Sequence, residues 1–204
     1  KPGCLWYIDA GKTDVITKKT LKDFRQTGQD LFLRGLISSH AGNLSHRSGE
    51  RDVIITRRGS MLGHLTMDDL IEVPLSGDHP RIMRASSELV VHRIIYDRCT
   101  AGAIVHAHPP YATLLSLLDK EIIPVDSEGK HLLQKVGVVE AAQSIGSEEA
   151  GELMSDLLRN SNVVLLRGHG SFATGKTLEE AFMYTTSLEA SAFLTFHMRH
   201  GRGH

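Results

Sequence analysis

The sequence predicts an α/β protein in which helices surround a mostly antiparallel sheet. Three observations favour this class. The 204 residues are enough for one sizeable hydrophobic core. The hydrophobic content of 41% and the charged content of 23% are typical of a globular protein. Short strand-like runs also mix with helical ones, without the strict alternation of a doubly wound fold. We expect one domain over residues 1–204, with residues 1–15 as a candidate peripheral N-terminal extension.

The first half of the chain begins with a helix. From Thr17 onward, apolar residues recur at helical spacing as far as Leu36. Two strands are expected next, around residues 44–47 and at residues 52–56, separated by a turn. Thr66 then caps a one-turn helix that leads into a third strand, and a longer helix follows with Ser86 or Ser87 as its N-cap.

The second half predicts short strands between amphipathic helices. Residues 102–108 form a β-rich run, residues 111–119 a helix, and residues 121–125 a short strand that the internal proline restricts to a sheet edge or a bend. Ser147 caps the next helix. Residues 162–167 suit a strand buried on both faces, and residues 172–173 a return strand. The last helix opens with a Thr-x-x-Glu capping box at Thr177.

The overall charge excludes little but favours a small-molecule partner. A formal net charge of −1 offers no electrostatic attraction to nucleic acid or to an anionic membrane. No apolar run approaches the roughly 20 residues that span a bilayer, and the first residues lack the apolar core of a signal peptide. Cys4 and Cys99 do not make a disulfide framework. We therefore expect a cytoplasmic protein.

Three histidines have the spacing of metal ligands. His106 and His108 are two residues apart in a predicted strand, so their side chains share one face. His169 follows a buried run and lies between Gly168 and Gly170, which allow a sharp turn. Catalytic zinc sites hold three protein ligands and one open position. We predict a metal centre on these histidines; the alternative is a partly exposed histidine pair and an ordinary loop histidine.

An acidic residue and two polar turns complete the set of candidates. Glu88 lies in the first turn of a predicted helix, where free N–H groups favour anions, although an acid there needs no function to explain it. The turns at residues 42–45 and 57–60 offer amide, hydroxyl and guanidinium donors that suit a phosphate. Two solvated β-turns explain the same composition.

The order of these motifs resembles the class II aldolase/adducin family. The resemblance extends from Thr17 to the final helix and depends on five motifs in order, which is far more specific than any one of them. The motifs are Gly42-Asn43-Leu44-Ser45, Ile55-Thr56-x-x-Gly59, Ala85-Ser86-Ser87-Glu88, His106-x-His108-Pro109 and Gly168-His169-Gly170.

The resemblance implies a three-layer α/β/α fold with a central, mostly antiparallel sheet, assembled as a homotetramer with active sites between subunits. It implies Zn²⁺, or another divalent ion such as Mn²⁺ or Co²⁺, on His106, His108 and His169, with Glu88 as acid and base. The implied reaction is aldol cleavage of the L-fuculose-1-phosphate type, which yields dihydroxyacetone phosphate and an aldehyde through a metal-stabilised enediolate. The residues implied to hold the phosphate are Asn43, Ser45, Gly59, Ser86 and Ser87.

Two departures from the family pattern concern the substrate. Arg58, preceded by Arg57, stands where the family commonly has a hydroxyl residue, so its guanidinium either replaces that donor toward a phosphate or carboxylate or points to solvent. No tyrosine follows the Ile-Pro dipeptide, which leaves Glu128 or another group to protonate the aldehyde side. A pentulose-phosphate 4-epimerase, a methylthioribulose-phosphate dehydratase, a decarboxylase and a metal-free adducin-like interaction module are the alternatives.

A competing motif lies near the end of the chain. Residues 170–177 fit the phosphate-binding loop pattern G-x-x-x-x-G-K-[ST] of nucleotide-binding proteins. Only 27 residues follow it, nearly all in one predicted helix. No strand remains to supply the second acidic motif of such proteins, so we disfavour a nucleotide-binding function.

Overall fold

A single eight-stranded sheet organises the fold. The protein is described by a computed structural model over residues 16–201, so the candidate extension at residues 1–15 lies outside the described part. The strands are β1 (Asn43–Arg47), β2 (Asp52–Thr56), β3 (Leu70–Pro74), β4 (Ala103–Ala107), β5 (Glu121–Ile122), β6 (Val136–Val139), β7 (Val163–Leu166) and β8 (Gly170–Gly175). The helices are α1 (Lys18–Leu33), α2 (Leu89–Arg98), α3 (Pro110–Leu118), α4 (Ser127–Leu132), α5 (Glu148–Leu158) and α6 (Leu178–His200). Three short 3₁₀ helices lie at Leu62–His64, Met67–Asp69 and Pro80–Arg84.

The strand order is β3-β2-β1-β4-β8-β7-β6-β5. All neighbouring pairs are antiparallel except β6 and β7, which run parallel. The sheet is therefore mixed but mostly antiparallel, as the sequence predicts. β5, with Pro124 just beyond it, forms one edge, where a missing backbone donor is tolerated.

Helices cover both faces of the sheet. On one face α1, α3 and α6 bury Phe24, Leu115 and Leu188 against alternate strand residues. On the other face α2 and α5 bury Ile95 and Met154. Because each strand presents successive side chains to opposite faces, two separate apolar cores form. The predicted three-layer α/β/α architecture is confirmed. None of the described helices is long and apolar enough to cross a membrane.

Local capping explains where several helices begin. The Thr17 hydroxyl accepts a hydrogen bond from Thr20 N at 3.1 Å, and Ser147 caps α5 through Ala150 N, also at 3.1 Å. At α6 the Thr177 hydroxyl accepts from Glu180 N as predicted. The Glu180 carboxylate, however, accepts from Lys176 N rather than from Thr177 N. The reciprocal half of the capping box is therefore displaced by one residue.

The start of α2 corrects the sequence-based prediction. The helix begins at Leu89, and its N-cap residue is Glu88 rather than Ser86 or Ser87. The cause is a backbone ladder, because Ser86 N donates to Thr56 O at 3.0 Å and so continues the pairing with β2. The chain leaves that ladder through a turn closed by Leu89 N and Ser86 O before the helix starts.

The segment with the nucleotide-binding pattern is a strand. Residues 170–175 form β8, which pairs with β4 on one side and β7 on the other. A phosphate-binding loop needs free backbone N–H groups, and a strand paired on both sides commits them to the ladders. The structure therefore supports the rejection of a nucleotide-binding function at this motif.

Candidate metal centre and active site

Three histidines converge at one end of the central strands. His106 lies in β4, whereas His108 lies just beyond the strand, where its N–H donates to Leu36 O at 2.8 Å. The expectation that both belong to the strand is wrong, but their rings still meet. His169 is presented by the turn between β7 and β8. The ring centroids are 4.8–5.0 Å apart, and one nitrogen from each ring lies within 4.8 Å of the other two.

Backbone carbonyls orient two of the rings. His106 Nδ1 lies 3.0 Å from Ser171 O, and His169 Nδ1 lies 2.8 Å from Ser144 O. A neutral imidazole that donates from Nδ1 carries its lone pair on Nε2. This carbonyl–histidine arrangement is the usual outer support of a metal ligand. His108 turns its own Nε2 to within 3.0 Å of His106 Nε2.

The electrostatic environment keeps the three imidazoles neutral. Burial lowers the pKa of His106 well below its usual value, and the neighbouring His108 and His169 lower it further. Burial lowers the pKa of His108 to about 4, again with a contribution from His169. The pKa of His169 is lowered by burial and partly restored by the Ser144 carbonyl. Neutral imidazole is the form that binds a metal ion, so the group has the donor set of a divalent metal site.

The local backbone geometry and packing require the glycines on either side of His169. Gly168 has a φ of +66°, which side chains rarely adopt. A Cβ atom on Gly170 would collide with the Ala107 carbonyl oxygen and would lie 2.8 Å from the His108 ring. Any larger residue at position 170 would therefore displace the His108 ring or the end of β4, which carries His106.

Glu88 is a buried carboxyl group with a free oxygen. It is only 3% exposed, and its Oε2 atom has no hydrogen-bond partner among the described residues. Burial raises its pKa to about 7, and the Gly146 backbone amide lowers it in part. The short stretch at residues 144–146 thus contacts both Glu88 and His169. A carboxyl group that titrates near neutrality can both take and give a proton.

Three of the residues expected to hold the phosphate, Gly59, Ser86 and Ser87, lie together beside the end of β2. The backbone ladder joins Thr56 to Ser86 and Arg58 to Arg84, with N–O distances of 3.0 and 2.9 Å, so the turn that contains Gly59 lies next to Ser86 and Ser87. Gly59 is exposed and has a φ of +70°.

Asn43 belongs to the same region and touches the histidine strand. It opens β1, which lies between β2 and β4, and it is paired across the sheet with His106. Its Oδ1 atom is buried without a partner in the described part of the chain. The amide is therefore close to the metal ligands and has an unused acceptor.

Ser45 lies in the core of the protein, where its hydroxyl already has two hydrogen-bond partners. It is fully buried, and its hydroxyl is 2.6 Å from His92 Nδ1 and 2.9 Å from the Tyr96 hydroxyl. Burial lowers the pKa of His92 to about 3 and raises that of Tyr96. Sequence analysis missed His92 and Tyr96. Their spacing from Glu88, four and eight residues along α2, places all three on one helix face and was the available signal.

Arg57 is paired with Asp69, and Glu128 lies in a different layer of the fold from α2. Arg57 binds Asp69 Oδ1 through two nitrogens at 2.6 and 3.2 Å. Glu128 is exposed in the first turn of α4, which packs on α6 in the layer opposite α2 and α5. The structure therefore gathers the histidines and Glu88 around one loop, with Asn43 next to them, and leaves Glu128 outside this group.

Comparison with known proteins agrees with this geometry. The profile of the family described as "Class II Aldolase and Adducin N-terminal domain" matches residues 22–196. An L-fuculose phosphate aldolase of Methanocaldococcus jannaschii is 34% identical over 85% of this chain and 94% of its own. A 3-oxo-tetronate 4-phosphate decarboxylase of Haemophilus influenzae is 31% identical over 90% of this chain and 89% of its own.

The fold has a close match among solved structures. The crystal structure of L-fuculose-1-phosphate aldolase from Thermus thermophilus superposes with a TM-score of 0.85 and 42% identity, covering 90% of this chain and 97% of that one. The family profile covers most of the chain, and the relatives align over nearly their whole lengths. The chain belongs to the class II aldolase/adducin family.

Proposed function

We propose that this chain is a divalent-metal-dependent lyase that cleaves a small phosphorylated ketose. The observation that carries the proposal is the meeting of three neutral histidines at a loop that also contacts the unpaired Glu88 carboxyl group. His106, His108 and His169 would hold the ion, and three nitrogen ligands suit Zn²⁺ with a fourth position left for substrate. When bound, a divalent ion there supplies Lewis-acid activation of substrate oxygen atoms. Mn²⁺ and Co²⁺ are alternative ions.

Glu88 is the proposed acid and base. In the cleavage direction its carboxyl group gives a proton to the carbon freed by C–C bond cleavage, and in the reverse direction its carboxylate removes that proton. A pKa of about 7 leaves both forms populated at neutral pH. The free Oε2 atom has no competing partner among the described residues, so it is available to the substrate.

The phosphate group of the substrate is assigned to the region beside β2. Asn43, Gly59, Ser86 and Ser87 would bind it through backbone N–H groups and side chains, together with Arg58. Ser45 is left out of this assignment because His92 and Tyr96 already occupy its hydroxyl. The names of the relatives support a phosphorylated substrate.

In the cleavage direction a base takes the proton of the aldehyde-side hydroxyl, and in the reverse direction the same group returns it to the aldehyde oxygen. We assign this group outside the residues named so far. Glu128 lies in the α6 layer, so it fits the role from a neighbouring subunit. The proposal therefore includes a homotetramer with active sites between subunits. The cytoplasmic location stays a prediction.

A second candidate is decarboxylation of a phosphorylated keto acid. Arg58 stands where the family commonly has a hydroxyl residue, and a guanidinium recognises a carboxylate as readily as a phosphate. The Haemophilus influenzae relative carries the name of such an enzyme. Epimerase and dehydratase reactions use the same candidate site and stay open as alternatives.

Two measurements test the proposal. Protein purified without chelator should contain about one divalent ion per chain, and His108→Ala should lose both the ion and the activity. A panel of L-fuculose 1-phosphate, other ketose 1-phosphates and 3-oxo-tetronate 4-phosphate, read by dihydroxyacetone phosphate, aldehyde, carbon dioxide and inorganic phosphate, separates the reactions. A chain that contains no metal and turns over no substrate of the panel would rule out the lyase and favour a metal-free interaction module. A His108→Ala variant of full activity would instead rule out the role of the metal site.

A further inference from the structure

The helix α3 is joined to His108 through the chain and to the turn of His169 through hydrogen bonds. It begins two residues after His108, and its first N–H groups, those of Tyr111 and Ala112, donate to the Glu189 carboxylate of α6 at 3.0 Å each. Further along, α3 packs on β7 and β8 and bonds to the turn between them, which presents His169. One anchored helix therefore supports two of the three candidate metal ligands.

Ser116 is the residue of α3 that binds this turn. It is fully buried, and its hydroxyl accepts a hydrogen bond from Gly168 N at 2.9 Å while it donates to Thr113 O at 2.6 Å. The Ser116 carbonyl oxygen accepts a second bond from the turn, because Nη1 of Arg167 lies 2.6 Å away. Both residues that precede His169 are thus bonded to a single residue of α3.

The peptide between Arg167 and Gly168 is the central peptide of the turn. The turn is closed by His169 N, which donates to Leu166 O at 3.0 Å, and Gly168, its third residue, has a φ of +66°. A positive φ at this position is typical of a type II turn, which differs from type I by a rotation of the central peptide. The bond from Gly168 N to Ser116 fixes that peptide, and with it the direction in which the chain enters His169.

We propose that Ser116 is the positioning residue for His169 in the candidate metal centre. It acts through the backbone of the turn, whereas the Ser144 carbonyl orients the His169 ring itself. The inference rests on the metal site of the proposed function and not on its reaction. Removal of such an outer contact typically weakens metal binding by about 10–100-fold, because the ligand is no longer held in the geometry that the ion requires.

Zinc affinity of the full-length chain, measured by competition with a chelating dye, tests the proposal. Ser116→Ala removes the acceptor of Gly168 N and should weaken zinc binding by about tenfold or more. Ser155→Ala is the matched control, because Ser155 is also a fully buried helix serine whose hydroxyl donates to a carbonyl one turn back, Gly151 O, at 2.6 Å. Since Ser155 lies in α5, on the other face of the sheet, this control should change zinc affinity by less than about twofold.

A second pair of variants covers the case in which Ser116→Ala does not fold. Arg167→Gln removes the guanidinium bond to the Ser116 carbonyl and should weaken zinc binding by about threefold or more, although the loss of a positive charge would by itself favour a cation. Arg93→Gln is its control, because Arg93 likewise donates to backbone carbonyls, Pro74 O at 2.7 Å and Gly77 O at 3.1 Å, beyond the end of β3. It should leave zinc affinity within about twofold.

Amide hydrogen exchange of the metal-free chain separates positioning from a general loss of stability. Ser116→Ala should speed exchange at Gly168 by about tenfold or more, because the amide loses its acceptor. Exchange in β7 should change no more than it does in Ser155→Ala. If Ser116→Ala and Ser155→Ala changed both exchange at Gly168 and zinc affinity equally, the positioning role of Ser116 would be wrong.

Neither measurement requires turnover, so the two proposals can fail separately. If the original chain binds zinc and cleaves a substrate of the panel while Ser116→Ala keeps its zinc affinity, the lyase stands and the inference is wrong. If no substrate is cleaved but Ser116→Ala weakens zinc binding about tenfold, the inference stands without the proposed reaction. If the original chain binds no zinc, the proposed function fails, and selectively faster exchange at Gly168 still supports the hold of Ser116 on the turn of His169.

Discussion

The Nε2 atoms of His106 and His108 lie 3.0 Å apart. Two nitrogen ligands of a tetrahedral zinc ion, at 2.0–2.1 Å from the metal, would be about 3.4 Å apart. The two rings therefore need only a small adjustment to share one ion. Because burial lowers the pKa of both rings, both are neutral near neutral pH, and each then carries a single N–H. The N–H of His108 can lie on Nε2 and donate to His106 Nε2, or lie on Nδ1 and leave both Nε2 lone pairs to a metal ion.

The lowered pKa values predict an unusual pH dependence of metal affinity. Protons compete with a metal for imidazole, and histidines with an ordinary pKa near 6.5 begin to lose metal below pH 7. Burial lowers the pKa of all three histidines, that of His108 to about 4, so zinc affinity should fall at a lower pH than it would for histidines of ordinary pKa. Competition with a chelating dye at each pH measures this. A steep loss of affinity between pH 7 and 6 would contradict the buried, neutral site.

Glu88→Gln should stabilise the metal-free protein while abolishing activity. The folded-state pKa of about 7 exceeds the ordinary value of 4.5, so the folded chain holds a proton that the unfolded chain loses as pH rises through this window. Ionised Glu88 therefore costs stability at pH 8 and not at pH 4.5. The variant should gain on the order of 2 kcal/mol at pH 8, a few degrees of Tm, and almost nothing at pH 4.5. Activity should fall by at least about a hundredfold.

Glu189→Gln is the matched control for that experiment. Glu189 is a half-buried glutamate whose pKa burial also raises, but its two carboxylate oxygens accept hydrogen bonds from Tyr111 N and Ala112 N at 3.0 Å each. An amide can replace only one of these acceptors, so this variant should not gain stability at pH 8. If both variants gained equally, the effect would reflect net charge rather than the unpaired Glu88 carboxyl group.

The sequence predicts the layers, the histidine triad and most caps, because these depend on local periodicity and short motifs. It does not reveal α4 and β6, which are short elements whose order comes from packing against α6 and β7. Nor does it reveal that Ser86 belongs to a ladder with Thr56, which moves the N-cap of α2 by one or two residues, to Glu88. Both outcomes depend on contacts between segments far apart in the chain, which a local pattern does not encode.

The same limit applies to the site. Asn43 and Ser45 are two residues apart on β1, and the sequence around them does not distinguish their roles. In the fold the Asn43 Oδ1 atom, next to His106, has no hydrogen-bond partner among the described residues. The Ser45 hydroxyl is instead hydrogen-bonded to His92 in α2. The contacts of Ser45 with His92 and Tyr96 form only when α2 packs on the sheet. The sequence can therefore show that His92 and Tyr96 share a helix face, but not that this face packs on Ser45.

Gly170→Ala should disturb the metal centre directly. The added Cβ would collide with the Ala107 carbonyl and approach the His108 ring to 2.8 Å, so β4 or the ring must move. We expect a loss of about 2 kcal/mol or more in the free energy of unfolding and at least about a tenfold loss of zinc affinity. Gly49→Ala is the control, since no described atom lies within 4 Å of its added Cβ. Unchanged zinc affinity in Gly170→Ala would contradict the close approach of His108 to β8.

Ser45→Ala tests whether the buried network under the sheet is structural. Removal of the hydroxyl leaves His92 Nδ1 and the Tyr96 hydroxyl buried without their shared partner. An unpaired buried polar group costs about 1–3 kcal/mol, so Ser45→Ala should lose about 2–4 kcal/mol in urea unfolding at pH 7.5. Tyr96→Phe keeps the bond between Ser45 and His92 and should lose only about 1 kcal/mol. If Ser45 is structural and not a phosphate ligand, the phosphate affinity of the folded Ser45→Ala variant should change by less than about threefold. A loss of phosphate affinity without a loss of stability would instead indicate that Ser45 binds the phosphate.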